Sequence, residues 1–269
     1  MPFVDIGGVS IHYGHSRAAP SAPTLVFINS LGTDFRIWND VAPALAPGMT
    51  VLTYDKRGHG LSGLGAGIRS IDDHADDLEG LIDRFAPEPV VLCGLSIGGL
   101  IAQRLLMRRP QAARALILCD TAHKIGTAAM WDARIATVER DGIEAIADSV
   151  MEKWFTPAFH RDRAADLAGY RNMLIRQPMA GYVGSCAAIR DADYAREARE
   201  ISVPTLCVVG DQDGSTPPQL VRETGDLIRG SRVEVIADAG HIPCVEQPAK
   251  LVSLIREIVA SLPHVSLPF

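Results

Sequence analysis

The sequence predicts an α/β fold: a mostly parallel eight-stranded sheet flanked by helices, with a helical cap inserted into it. Three observations carry this expectation. Short apolar runs alternate with stretches of helical periodicity, the pattern of parallel strands joined by crossover helices. The serine of Gly94-Leu95-Ser96-Ile97-Gly98 stands where one apolar run turns into a helix-like stretch. The alternation then stops between about residues 121 and 201, which hold helical patterns but no clear strand–helix unit.

Taken in order, residues 3–6 and 9–13, separated by Gly7-Gly8, read as an opening hairpin. Residues 24–28, 49–54, 90–93, 115–119, 205–209 and 233–236 read as six further strands. Residues 71–85 place apolar side chains at helical spacing, and residues 99–106 follow the serine as a helix. In the final helix Leu251, Leu254, Ile255 and Ile258 form one face, with Pro248 near its start. Residues 143–155 read as helical within the interrupted stretch, which also carries Trp131 and Trp154, two of the three tryptophans. The expected organisation is a core of residues 1–120 and 202–269 with a cap at residues 121–201.

With 269 residues, 47% of them hydrophobic, the chain has enough apolar mass for a large core. A net charge of −6 and the lack of a basic stripe argue against nucleic acid and anionic membranes as partners. Met1-Pro2-Phe3-Val4-Asp5 lacks the basic and apolar stretches of a signal peptide, and no apolar run reaches the roughly 18 residues of a membrane span. Of five cysteines, Cys93, Cys119 and Cys207 lie in strand-like runs, Cys186 sits among small residues and Cys244 follows a histidine loop. Without a Cys-x-x-Cys pair or an even framework, neither zinc nor disulfides are expected, and the compartment reads as cytoplasmic.

Glycines two residues to either side of Ser96 permit a turn too tight for side chains, whose strain holds the hydroxyl out above the sheet. The amide of Ile97, at the helix N-terminus, is then placed to stabilise an oxyanion. A serine needs a base, and the base an acid to orient it. The expected chain order is serine, carboxylate, histidine. Val208-Val209-Gly210-Asp211-Gln212-Asp213 offers carboxylates at a strand end, and Ile236-Ala237-Asp238-Ala239-Gly240-His241 a histidine after the last strand. Asp213, followed by Thr216-Pro217, is the favoured acid and Asp120 its rival; Asp211 and Asp238 read as turn carboxylates. His241 is the favoured base. His59 precedes the serine and reads as structural, His74 sits in a predicted helix, and His123 stands near the cap entrance as a pocket-lining candidate. His12, His15, His160 and His264 have no supporting context. The turn Asn29-Ser30-Leu31-Gly32-Thr33-Asp34 should supply the second oxyanion donor, through the amide of Leu31.

Together these motifs resemble the α/β-hydrolase superfamily over essentially the whole chain. Asn29-Ser30-Leu31-Gly32-Thr33-Asp34, Tyr54-Asp55-Lys56-Arg57-Gly58-His59-Gly60, Cys93-Gly94-Leu95-Ser96-Ile97-Gly98-Gly99-Leu100 and Gly240-His241 are similar to the 3-oxoadipate enol-lactonases in particular. Many superfamily members carry His-Gly where this chain has Asn29-Ser30, and the Asn-Ser form is the one familiar from the enol-lactonases. Leu118-Cys119-Asp120-Thr121-Ala122-His123-Lys124-Ile125-Gly126, followed by Trp131 and Arg134, resembles the segment where their cap begins. Family members often carry Asn in place of Asp120, so the rival acid stays open.

The resemblance implies cofactor-free and metal-free ring opening of 3-oxoadipate enol-lactone, in the breakdown of protocatechuate and catechol. Ser96, His241 and Asp213 would form the triad, and Leu31 and Ile97 the oxyanion hole. A small anionic lactone on an acidic protein calls for a local cation. Arg134 and Lys124 are the candidates, with Trp131 and Trp154 as apolar walls. Another ester or C–C bond hydrolase on the same scaffold is the alternative reading, and a non-catalytic binding module a more distant one.

Overall fold

A computed structural model describes residues 2–86 and 89–262 of the chain. His264 and the rest of residues 263–269 of the expected core lie outside the described residues. The strands are β1 (Phe3–Ile6), β2 (Val9–Ser16), β3 (Thr24–Ile28), β4 (Thr50–Tyr54), β5 (Val90–Leu95), β6 (Ala113–Cys119), β7 (Thr205–Gly210) and β8 (Arg232–Ile236). Among the described residues they form one eight-stranded sheet in the order β1-β2-β4-β3-β5-β6-β7-β8. β1 pairs antiparallel with β2 and β2 antiparallel with β4; every other pairing is parallel.

Burial separates the interior strands from the β1 edge. Every residue of β5 and β7 is buried, and their sequences are continuous apolar runs, as both faces of a helix-covered parallel sheet require. β1 alternates between exposed and half-buried positions and lies at the edge. Gly7 and Gly8 both adopt positive φ, 57° and 83°, which the tight hairpin between β1 and β2 demands. β2 runs three residues past its expected end because its second half, from Tyr13 to Ser16, pairs with β4.

The helices are α1 (Ala42–Leu45), α2 (Ile71–Phe85), α3 (Ile97–Arg108), α4 (Ala128–Asp141), α5 (Ala147–Trp154), α6 (Pro157–Asp162), α7 (Ala164–Ile175), α8 (Met179–Asp191), α9 (Pro218–Leu227), α10 (Pro243–Glu246) and α11 (Pro248–Ser261). Ser70 and Asp73 close a reciprocal capping box at the start of α2. Arg104 and Arg108 of α3 reach Asp72 and Asp76 of α2 at 2.7 and 2.5 Å. The helix expected over residues 143–155 is instead a 3₁₀ turn, Ile143–Ile146, followed by α5. The break lets Ile143 and Ile146 join the buried cluster that also holds Val150 and Trp154. Among the described residues no helix is long and apolar enough to cross a membrane.

Five helices, α4 to α8, occupy the stretch between β6 and β7. They pack directly on the loops at the carboxyl ends of the strands. A Cβ on Gly58, after β4, would collide with Gly181 of α8, and a Cβ on Gly181 would collide with the Gly58 carbonyl. Around Gly32, after β3, stand Leu174 of α7, Tyr182 of α8 and Trp154 of α5. Two backbones in contact leave no room for a methyl group. Gly181→Ala should therefore lower stability by about 1–3 kcal/mol. Gly169→Ala, in α7 with nothing within 4 Å of the new atom, should raise it by about 0.4–1 kcal/mol. Denaturant titration of the two variants checks both signs.

Candidate active site

The elbow between β5 and α3 is set by backbone packing. Ser96 has φ 57° and ψ −120°, a region that L-residues enter at a cost of order 1–3 kcal/mol. The surrounding chain over-determines that conformation. Ser96 donates its amide to the Cys119 carbonyl at 3.0 Å, while its own carbonyl accepts from the Gly99 amide at 2.9 Å and the Thr121 hydroxyl at 2.6 Å. A Cβ on Gly94 would strike the Gly98–Gly99 backbone, and one on Gly98 the Ile28 carbonyl. A third glycine is just as constrained, since a Cβ on Gly99 would enter the Thr121 side chain.

His241 and Asp213 come together at the ends of β8 and β7. The His241 Nδ1 lies 3.0 and 2.9 Å from the two Asp213 carboxylate oxygens, with both residues buried. Asp213 also accepts from the Ser215 and Thr216 amides at 2.7 and 3.1 Å and from the Thr216 hydroxyl at 2.6 Å. Burial pushes its carboxyl up, but His241, the Thr216 hydroxyl and the Ser215 amide outweigh it and hold the carboxyl below the ordinary carboxylate range. The Ser215 and Thr216 amides close a side chain-to-backbone turn on Asp213, and the Thr216 hydroxyl adds a side chain-to-side chain bond to it.

The inserted helices pin the histidine loop. The His241 amide donates to the Trp154 carbonyl at 2.9 Å. Glu246 accepts from the Gly240 amide at 2.6 Å and, with its other oxygen, from the Thr156 amide and hydroxyl at 3.1 and 2.7 Å. Nothing in the sequence around Glu246 marks it for this role, because both partners are brought to it by folding.

Asp120 stands beside the pair. An oxygen of Asp120, one of Asp213 and a ring nitrogen of His241 lie within 4.8 Å of one another. Asp120 accepts from the Gly210 amide at 2.9 Å and makes no contact with His241 as short as that of Asp213. Complete burial, reinforced by the Asp213 charge, pushes its carboxyl well above the ordinary carboxylate range. The other Asp120 oxygen is buried without a hydrogen-bond partner among the described residues.

The turn after β3 carries the other expected oxyanion donor. Asn29 donates from Nδ2 to the Thr33 carbonyl at 2.7 Å, closing the turn around Ser30 and Leu31. Neither the Leu31 N–H nor the Ile97 N–H has an acceptor among the described residues. Leu31 and Ile97 are themselves buried.

The four expected substrate contacts separate. Trp154 is buried, with its indole near Gly32 and its carbonyl on the histidine loop. The Trp131 indole donates to the Ile125 carbonyl at 2.7 Å, and the Arg134 guanidinium lies 4.9 Å over its ring. Arg134 also faces Tyr182: burial pushes that phenol up, and the guanidinium partly offsets it. Among the described residues Arg134 has no carboxylate partner. Lys124, by contrast, is held by Asp193 at 2.8 Å in an exposed ion pair. His123 donates its amide to the Thr224 hydroxyl, which also lies 3.0 Å from its Nδ1. Tyr182, over the oxyanion turn, went unmarked in the sequence because its helix has no strong amphipathic pattern.

The chain and its fold have close counterparts among known proteins. The alpha/beta hydrolase fold family matches residues 23–248. The chain is 34% identical over 226 residues to 3-oxoadipate enol-lactonase 2 of Acinetobacter baylyi, covering 84% of each. It is 33% identical to 3-oxoadipate enol-lactonase 1 of the same organism, covering 90% of each. The solved structure of the enol-lactonase from Burkholderia xenovorans superposes with a TM-score of 0.92 at 32% identity, over 97% of this chain and 100% of that one. The chain therefore belongs to the α/β-hydrolase fold family, among the relatives of the enol-lactonases, and is a hydrolase.

Proposed function

We propose that the chain opens 3-oxoadipate enol-lactone to 3-oxoadipate through a Ser96–His241–Asp213 triad and an acyl-enzyme. One observation carries the reaction class: a strained, buried serine elbow shares the sheet's carboxyl edge with a histidine whose Nδ1 is held by an ionised aspartate. Likeness to two 3-oxoadipate enol-lactonases along most of the chain supports the substrate. Helices α4 to α8 act as the cap over the site.

In this mechanism the Ser96 oxygen attacks the lactone carbonyl as His241 takes its proton through Nε2. Asp213 fixes the tautomer and stabilises the imidazolium. The amides of Leu31 and Ile97 hold the tetrahedral oxyanion, a contact worth about 2.7–4 kcal/mol per donor. Collapse breaks the ring C–O bond and expels an enolate, a better leaving group than an alkoxide. The enolate is protonated and becomes the ketone. Water, deprotonated by His241, then cleaves the acyl-enzyme and returns Ser96. One water is consumed and no electron moves, so the balance closes without a redox partner. Arg134 takes the substrate's free carboxylate, an assignment supported by its lack of a carboxylate partner and by its place on Trp131 beside Tyr182. Lys124 is already paired with the Asp193 carboxylate.

Assay of the purified protein on enol-lactone generated in situ tests the proposal directly; no turnover there, with turnover of simple esters, would remove the substrate. Ser96→Ala and His241→Ala should each lower turnover by roughly 10⁴-fold or more with the fold intact. Asp213→Asn should cost roughly 10³–10⁴-fold, because the histidine loses its orienting charge. Asp120→Asn should cost less than about tenfold, since the amide oxygen can still accept from the Gly210 N–H; a larger loss than at Asp213 would move the acid to β6. Arg134→Ala should weaken enol-lactone turnover by about 2–5 kcal/mol if the contact is a desolvated charge pair. A neutral ester should be hydrolysed nearly unchanged, and equal losses on both substrates would make Arg134 a support of the cap.

A further inference from the structure

Lys56 is completely buried, in the loop after β4. Among the described residues its Nζ has one hydrogen-bond acceptor, the carbonyl oxygen of Ser30, at 2.8 Å. No carboxylate oxygen lies within ion-pair distance of it among those residues: Asp55 is engaged by His12 and by the Phe35 and Leu61 amides, and Asp34 by Arg36. Burial pushes the ammonium down to about 7, with Asp55 and Asp34 opposing the shift. In either protonation state the nitrogen donates to that oxygen. Burying such a group on a single neutral acceptor is costly, and a methionine of similar length would fill the space without the desolvation.

The accepting oxygen is the informative part. The Ser30 carbonyl is also reached by the Thr33 hydroxyl at 2.9 Å and the Thr33 amide at 3.3 Å, so three donors converge on one atom. That carbonyl and the Leu31 N–H belong to the same peptide group. No peptide bond here is cis, and in a trans peptide the C=O and N–H point in opposite directions. Fixing the oxygen from one side therefore aims the hydrogen on the other. Donors on a carbonyl also draw electron density from its amide, which makes the N–H a stronger donor in turn.

We infer that Lys56 is a positioning residue for hydrolysis: by donating to the Ser30 carbonyl, together with Thr33, it aims and polarises the Leu31 N–H and so sets the strength of the oxyanion hole. It touches no reacting atom. The inference rests on the Ser96 acyl-enzyme reading above, but not on the identity of the lactone.

The test is therefore made on p-nitrophenyl acetate. Wild type, Lys56→Met, Lys56→Gln and Thr33→Val are compared, with rates expressed per Ser96 site labelled by a fluorophosphonate. Lys56→Met should lower kcat about tenfold, short of the 10²–10³ lost with a whole donor, and leave KM within about twofold. Lys56→Gln, which keeps a donor without the charge, should fall between it and wild type. Affinity for a trifluoromethyl ketone, whose Ser96 hemiketal alkoxide needs the hole, should drop by the same factor as kcat/KM, whereas affinity for a simple carboxylate inhibitor should not change. A merely structural role would lower the melting temperature and the number of labelled sites, leaving kcat per site and ketone affinity alone, and would overturn the inference. If Lys56→Met does not fold, Thr33→Val decides. It removes a donor from the same oxygen, and unchanged ketone affinity in that variant overturns the inference as well. Wild type that is not labelled at Ser96 overturns the acyl-enzyme reading and this inference with it. Labelling at Ser96 with full kcat in both Lys56 variants overturns the inference alone.

Discussion

Close backbone contact at the turn from β5 into α3 is the constraint on which the rest of the molecule depends. Gly94, Gly98 and Gly99 let the start of α3 sit on the end of β3 and on Thr121, and no side chain larger than hydrogen fits at these positions. That contact forces Ser96 into a positive φ and leaves the amide of Ile97 at an uncapped helix N-terminus. It also sets the spacing between the turn after β3 and the elbow, and so the distance between the two candidate oxyanion donors. A strained serine survives only where its neighbours leave it no alternative, and here the Cys119 carbonyl, Gly99 amide and Thr121 hydroxyl remove the alternatives.

Around that elbow, charge is handled by burial as much as by pairing. Two aspartates a few ångströms apart are shifted in opposite directions for local reasons. Asp213 has a histidine, a hydroxyl and two amides to support its charge, whereas Asp120 has one amide and a charged neighbour. The same logic operates across the sheet. Arg57 is locked by two hydrogen bonds onto Asp77, while Lys56, one residue earlier, meets only a carbonyl. Two neighbouring basic residues thus end on different partners, a carboxylate for Arg57 and a peptide carbonyl for Lys56.

The helices between β6 and β7 complete the site instead of merely covering it. The histidine loop donates a backbone hydrogen bond from His241 to the Trp154 carbonyl and is tied through Glu246 to Thr156. Gly58 and Gly181 bring α8 against the loop after β4, and Tyr182 reaches the turn that bears Leu31. Movement of these helices would therefore disturb the His241 loop, the turn after β3 and Arg134 together.

Much of this was legible in the sequence because it is local. Continuous apolar runs mark strands buried on both faces, Gly7-Gly8 marks a hairpin, and a serine flanked by glycines between strand and helix marks an elbow wherever it occurs. The order Ser96, Asp213, His241 follows from the same logic, each residue standing at the carboxyl end of a strand. Helix boundaries inside residues 121–201 were less legible, because the packing of Ile143 and Ile146 against non-local partners broke a pattern that looked continuous. What the tertiary structure alone decided were relations between residues far apart in the chain. It put Asp213 rather than Asp120 on His241, Glu246 under Gly240, Lys124 on Asp193, and Lys56 on the Ser30 carbonyl. The physical reason is that periodicity and turn chemistry act over a few residues, whereas desolvation and hydrogen-bond competition depend on which groups the fold brings into contact.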